Sequence, residues 1–216
     1  MTNRLTVVDT FRNSDGVVFD VEKHIKFMYS EQPTSWDDAA TRSLYWMFNH
    51  SFKSWDKPED IREYLDYLIG LMGPSPHPDA AAEKKTISNA TAAEYWTLFG
   101  SIVVSAGIKL GIFKNIENSE DAFRSLLLEI QGILVRKQHD YGHENIARFG
   151  RFGILVRCHD KVARMQNLLT GNRTPQNEPL VDTFADLLGY SAIGMMWEKG
   201  WFMLPLAEDI PPRVAA

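Results

Sequence analysis

Apolar residues recur three and four positions apart over most of this chain, the spacing of one face of an α-helix. Leu44, Met47, Phe48 and Phe52 form one stripe, and Ile61, Tyr64, Leu65, Leu68, Ile69 and Met72 form the next. Tyr95, Trp96, Leu98, Phe99, Ile102 and Val103 form a third, and Leu126, Leu127, Ile130, Ile133 and Leu134 a fourth. From Ile154 to Leu169, the residues Ile154, Cys158, Val162, Met165 and Leu169 oppose a polar face. Leu180, Phe184, Leu187, Leu188, Ser191 and Met195 make the last stripe. Ser35 before Asp37 and Asp38, Pro58-Glu59-Asp60, Ser88 to Thr91, Ser119-Glu120-Asp121 and Asn177-Glu178-Pro179 carry the caps, prolines and acids that favour helix starts. Gly107 to Gly111, Gly142 and Gly171-Asn172 offer stops, and Gly150 and Gly153 bracket a short linker.

The N-terminus reads differently. Leu5 to Val8 and Val17 to Phe19 are β-prone runs around the turn signal Asn13-Ser14-Asp15-Gly16, which predicts a small hairpin. A short helix is expected from Phe19 to Ser30. Gly73 to Pro78 is the best exposed loop. The expected fold is mainly α, a helical bundle with a small N-terminal β-hairpin. Residues 1–115 form an N-terminal helical region, 116–204 a second helical domain, and 205–216 a loose tail marked by Pro205, Pro211 and Pro212.

Composition narrows the functional classes. A formal net charge of -5 gives no basic balance for stable nucleic-acid binding, though a local basic pocket is compatible with it. The one cysteine, Cys158, makes no intrachain disulfide and falls on an apolar stripe, which suits a buried thiol in a reducing compartment. The apolar run from Phe99 to Phe113 is interrupted by Gly100, Ser101, Ser105, Gly107, Lys109 and Gly111, too polar for a membrane span. No membrane partner and a cytoplasmic location are expected. Trp36, Trp46, Trp55 and Trp96 suit a core, with a docking surface as the alternative.

Chemistry concentrates between Lys137 and Tyr190. Arg157, Asp160, Lys161, Arg164 and Asn167 share one side of the helix from Ile154. Asp182 and Asp186 lie one turn apart on the last helix, with Tyr190 a turn further. Two carboxylates on one face can share a hard cation such as Mg2+. Lys161 and Arg164 could hold phosphate oxygens. The bland readings are an Asp160–Arg164 surface pair and a dipole-favoured Asp182. Tyr141 could stack on a nucleobase, with His143 and Asn145 hydrogen-bonding to it, or it could pack on a helix end capped by Gly142. His139-Asp140 and His159-Asp160, with Asp182 following, offer a rival metal-dependent phosphohydrolase of the HD type.

The motifs together are more specific. Lys137, Asp140, Tyr141 and Gly142, then Gly153, Ile154, Arg157, Asp160, Lys161 and Arg164, then Glu178 through Tyr190, resemble the nucleotide modification associated domain type 1 family of phages and bacteria. The resemblance runs from about Ala122 to Trp197. The pattern is also similar, more distantly, to the all-α MazG-like and dimeric dUTPase-like pyrophosphohydrolases. These bind Mg2+ on helical carboxylates and release a nucleoside monophosphate and pyrophosphate. Their paired E-x-x-E/D signature is absent here: Asp182 and Asp186 are four apart, and Glu129 is followed at the third position by Gly132.

The resemblance implies a phage-type enzyme of nucleotide metabolism or DNA base modification, acting in the host cytoplasm if phage-encoded. Asp160, Asp182 and Asp186 would hold Mg2+, with Mn2+ as a substitute. Asp160, Lys161 and Arg164 would serve catalysis, the two cations neutralising phosphate charge. Lys137, Tyr141, His143, Asn145 and Arg157 would contact the nucleotide. A homo-oligomer is expected by analogy. The alternatives are a non-catalytic nucleotide-binding accessory protein of a base-modification pathway and the HD-type hydrolase.

Overall fold

Local chemistry fixes most helix ends. The Ser35 hydroxyl accepts the Asp38 backbone N–H at 3.1 Å at the start of α1, Trp36–Asn49. Pro58 occupies the first position of α2, Pro58–Met72, where its missing N–H costs nothing. Ser88 caps α3, Asn89–Lys109, by accepting from Thr91 N–H. Ser119 caps α4, Glu120–Tyr141, by accepting from Ala122 N–H. Gly142 closes α4 with φ of 63°, a conformation that favours glycine. The short α5, Glu144–Ala147, leads to α6, Gly150–Thr170, and α7, Leu180–Glu198. A 3-10 turn follows at Ala207–Asp209.

This computed structural model describes residues 32–49, 56–73, 87–114, 116 and 119–210, with the backbone of 10–12 and 18–20. The hairpin is present as β1, Thr10–Arg12, antiparallel to β2, Val18–Asp20, with Phe11 opposite Phe19. Its first strand lies later than the Leu5–Val8 run, which falls outside the described residues. Phe19 and Asp20 lie in β2, not in a helix, and the rest of that expected helix is outside the described residues, as are residues 74–86 and Trp55. The fold is a mainly α helical bundle.

Helices α3 and α7 form the central seam, flanked by α1, α2, α4 and α6. One continuous core joins Trp36, Leu44 and Met47 of α1 to Trp96 and Phe99 of α3 and to Phe184, Leu188 and Met196 of α7. The described residues before and after position 115 therefore contribute to one core. Trp36 and Trp96 are core, not an exposed docking face. Buried Cys158 is core as well, and burial pushes its thiol pKa up.

Glycines let the seam close. A Cβ at Gly194 of α7 would overlap the Trp96 ring of α3. Gly194→Ala is expected to lower stability by about 1–3 kcal/mol, the usual cost of overpacking, read as a lower urea midpoint at unchanged slope. An unchanged midpoint would show that the ring has room to move.

The glycine pair at Gly150 and Gly153 is helical, not a linker. Gly150 has φ of 51°, and a Cβ there would sit 2.9 Å from the Trp197 ring. The chain turns into α6 at a point that Trp197 leaves no room to widen. Residues 205–210 also depart from the expected loose tail. The Trp36 N–H donates to the Pro205 carbonyl at 2.7 Å, the Ala207 N–H to Asp37 Oδ2 at 2.9 Å, and Leu206 is buried. No helix among the described residues is long and apolar enough to cross a membrane.

Candidate functional site

Asp186 lies on α7 one turn before Tyr190, half-buried, and two lysines converge on it. Lys137 of α4 donates to Oδ1 at 2.7 Å, and Lys161 of α6 reaches Oδ2 at 2.5 Å. Burial pushes the Asp186 carboxyl pKa up. The hydrogen bonds and charges of the two lysines outweigh burial and hold it below its ordinary value. Burial likewise pulls the Lys161 ammonium down, and Asp186 more than reverses it. Three helices are thus joined at one carboxylate.

Beside this junction is a cavity of about 300 Å3. Its charged and polar wall is Lys137, Gln138, Tyr141, Asn145, Arg157, Asp186 and Tyr190. Its apolar floor is Trp36, Leu134, Ile146, Gly189 and Ile193. Arg157 of α6 donates through Nη2 to Asn145 Oδ1 at 2.7 Å, and its guanidinium lies 6.0 Å from the Tyr190 ring centroid. Tyr141 lines the cavity and is 65% exposed. Lys137 and Arg157 in the lining, with Lys161 on the far oxygen of Asp186, outnumber that carboxylate, so the local charge favours an anion. The lining thus sets convergent polar groups beside an apolar floor, the two ingredients of a small-molecule site, with the polar share large.

Four of the five expected nucleotide contacts, Lys137, Tyr141, Asn145 and Arg157, meet in this cavity. His143 does not. Its Nε2 lies 3.1 Å from the Leu204 carbonyl oxygen, and its ring packs edge-on to Phe202, so it fastens the segment after α7.

The expected metal ligands are also rearranged. Among the described residues no three His, Cys, Asp or Glu side chains are grouped to hold a metal ion, so Asp160, Asp182 and Asp186 do not form one cluster. Asp160 and Asp182 are exposed, while Asp186 is held by lysines. Arg164 does not pair with Asp160. Its guanidinium donates to the Thr183 hydroxyl and the Glu178 carbonyl, bracing the entry to α7. His139 sits at the far end of α4, its Nδ1 3.2 Å from Asp140 and its Nε2 3.7 Å from Glu208, and it joins no metal set with His159. His159 instead borders an apolar hollow with Ile69, Phe152 and Leu155.

Several lining residues lay outside the sequence reading of the site, Gln138 and Trp36 among them. Gln138 continues the buried face of Leu127, Ile130 and Leu134, and a lone polar residue in an apolar stripe was a legible signal. Trp36, far upstream of α4 on α1, gave none beyond its hydrophobicity. Comparison of the chain with family models, with curated proteins and with solved structures returns no match in any of the three.

Proposed function

We propose that this cavity binds a single nucleotide, its phosphates gripped by Lys137, Lys161 and Arg157 and its base laid over the apolar floor. The convergence of two lysines from different helices on Asp186, at the edge of a cavity with an aromatic and aliphatic floor, carries this reading. An incoming phosphate offers the lysines a more highly charged partner than one carboxylate. The cavity volume lies at the small end of the usual range for ligand sites, about 300–1,000 Å3, which suits one nucleotide and not two.

Hydrolysis of a (deoxy)nucleoside triphosphate to monophosphate and pyrophosphate is the second reading, and the position of Asp186 favours it. Mg2+ commonly binds through one or two carboxylates together with substrate phosphates and keeps several waters. A ligand-free cluster of three aspartates is therefore unnecessary. Lysines drawn to phosphate would release Asp186 to the ion arriving with the nucleotide, and the exposed Asp182 lies one helical turn away.

A panel of deoxynucleotides with Mg2+ or Mn2+, assayed for binding by calorimetry and for pyrophosphate against orthophosphate, tests both readings. Binding of at least one nucleotide is expected, with pyrophosphate as the released product. Asp186→Asn should keep the binding and lose the turnover. Absence of binding across the panel refutes the nucleotide site. Binding without product in the wild type leaves the accessory-protein alternative, and orthophosphate or triphosphate as product favours the HD-type chemistry.

A further inference from the structure

Gln138 is 7% exposed on α4 and lines the cavity. Its side-chain amide makes no hydrogen bond to another described residue. Neither amide atom is sealed from solvent, in contrast to the unpaired indole nitrogens of Trp36 and Trp96. Leaving a buried amide without a partner is costly, and native proteins seldom do so. A polar residue kept at such a position, with its polar atoms still reachable, calls for a partner from outside the chain.

The helix around it places that amide. Leu134, Lys137 and Tyr141 line the same cavity. Residues three and four apart share a helix face, so Leu134, Gln138 and Tyr141 form one face of α4, and that face fronts the cavity. The Gln138 backbone carbonyl accepts the Gly142 N–H at 2.8 Å, which holds its backbone in the last turn of α4. The amide is thus presented from a regular helix, one turn from apolar Leu134 and next in sequence to the Lys137 cation.

We propose that the Gln138 carboxamide reads the base of the bound nucleotide. The inference rests on the nucleotide reading above and adds the group that recognises the uncharged part of the ligand. A carboxamide offers an acceptor oxygen and a donor nitrogen side by side. A nucleobase edge with a donor next to an acceptor meets both through two hydrogen bonds, as a glutamine does with adenine in DNA. Phosphate oxygens only accept and would leave the Gln138 oxygen unpaired. Lys137, Lys161 and Arg157 therefore serve the phosphates, and Gln138 distinguishes a nucleotide from a bare phosphate chain.

Gln138→Met keeps the length of the side chain and removes both polar atoms. In calorimetric titrations, this variant should bind the deoxynucleoside triphosphate that the wild type prefers about tenfold more weakly. Its binding of tripolyphosphate and of deoxyribose 5-phosphate should be unchanged. Its urea midpoint should match the wild type or exceed it, because the free protein loses no hydrogen bond. An equal loss toward all three ligands overturns the proposal, and so does a lowered midpoint, which would give the amide a structural role. Nitrogen–proton correlation spectra of the wild type supply a test that needs no folded variant. The Gln138 side-chain NH2 signals should move with the nucleotide and stay in place with tripolyphosphate. If they stay in place with both, Gln138 does not touch the base. A wild type that binds nucleotide while Gln138→Met binds equally well removes this inference alone. A wild type that binds no nucleotide removes the nucleotide site and this inference with it.

Discussion

Arg151→Ala is expected to destabilise the fold by about 3–5 kcal/mol, the usual cost of stranding a buried charge. Arg151 lies in the first turn of α6 and donates through Nε and Nη2 to both carboxylate oxygens of Glu198, at 2.5 and 2.6 Å. The Glu198 side chain is 1% exposed at the last residue of α7. With the guanidinium removed, that carboxylate must take a proton, admit water or leave the core, and each route costs stability. The hydrogen bonds also raise the arginine pKa, as a favourable pairing requires. Glu198→Leu combined with Arg151→Met should recover most of the loss, because removing both partners leaves no charge behind. Urea unfolding of the two single variants and the double variant measures this. A shift of less than about 1 kcal/mol for Arg151→Ala, the level of an exposed pair, would mean that the pair is hydrated.

The second large effect concerns the cavity. Lys137→Ala with Lys161→Ala should weaken nucleotide binding by two orders of magnitude or more. Hydrogen bonds to charged groups contribute about 1.5–3 kcal/mol each, and about 1.4 kcal/mol is tenfold in affinity. The same double change strips Asp186 of both partners, so lost folding could imitate lost binding. Adding Asp186→Asn separates the two. The triple variant should refold to near wild-type stability and still fail to bind. Each single lysine variant should fall between, since either lysine alone still neutralises Asp186. Nucleotide affinity retained in the triple variant would place the phosphates elsewhere.

Helices were legible because their signals are local. Ser88, Ser119 and Gly142 act on groups within four residues, and the apolar stripes need only a helical period. Gly150 misled because its reason is distant: a ring forty-seven positions away, Trp197, occupies the space a side chain would take. The same contrast divides the site. Lys137 and Tyr141 are one turn apart on α4, and Asn145 follows directly, so local spacing already brought them together. Asp160 with Asp182 and Asp186 required the rotation of α6 against α7 to be known. That rotation turns Lys161, not Asp160, toward Asp186. Arg164 is taken up by Glu178 and Thr183 for the same reason. Trp36 was read correctly as core, and its second role as cavity wall arises only from the packing of α1 beside α4 and α7.

The clasp between the start of α1 and residues 204–207 has a consequence for how the molecule is made. Trp36 leaves the ribosome early, whereas the Pro205 carbonyl that accepts its backbone N–H and the Ala207 amide that binds Asp37 emerge some 170 residues later. A nascent chain can wind each helix as it appears, but it cannot seat that tryptophan until its C-terminal portion arrives. The cavity is therefore a late product of synthesis, and truncated translation products should be helical long before its lining is assembled.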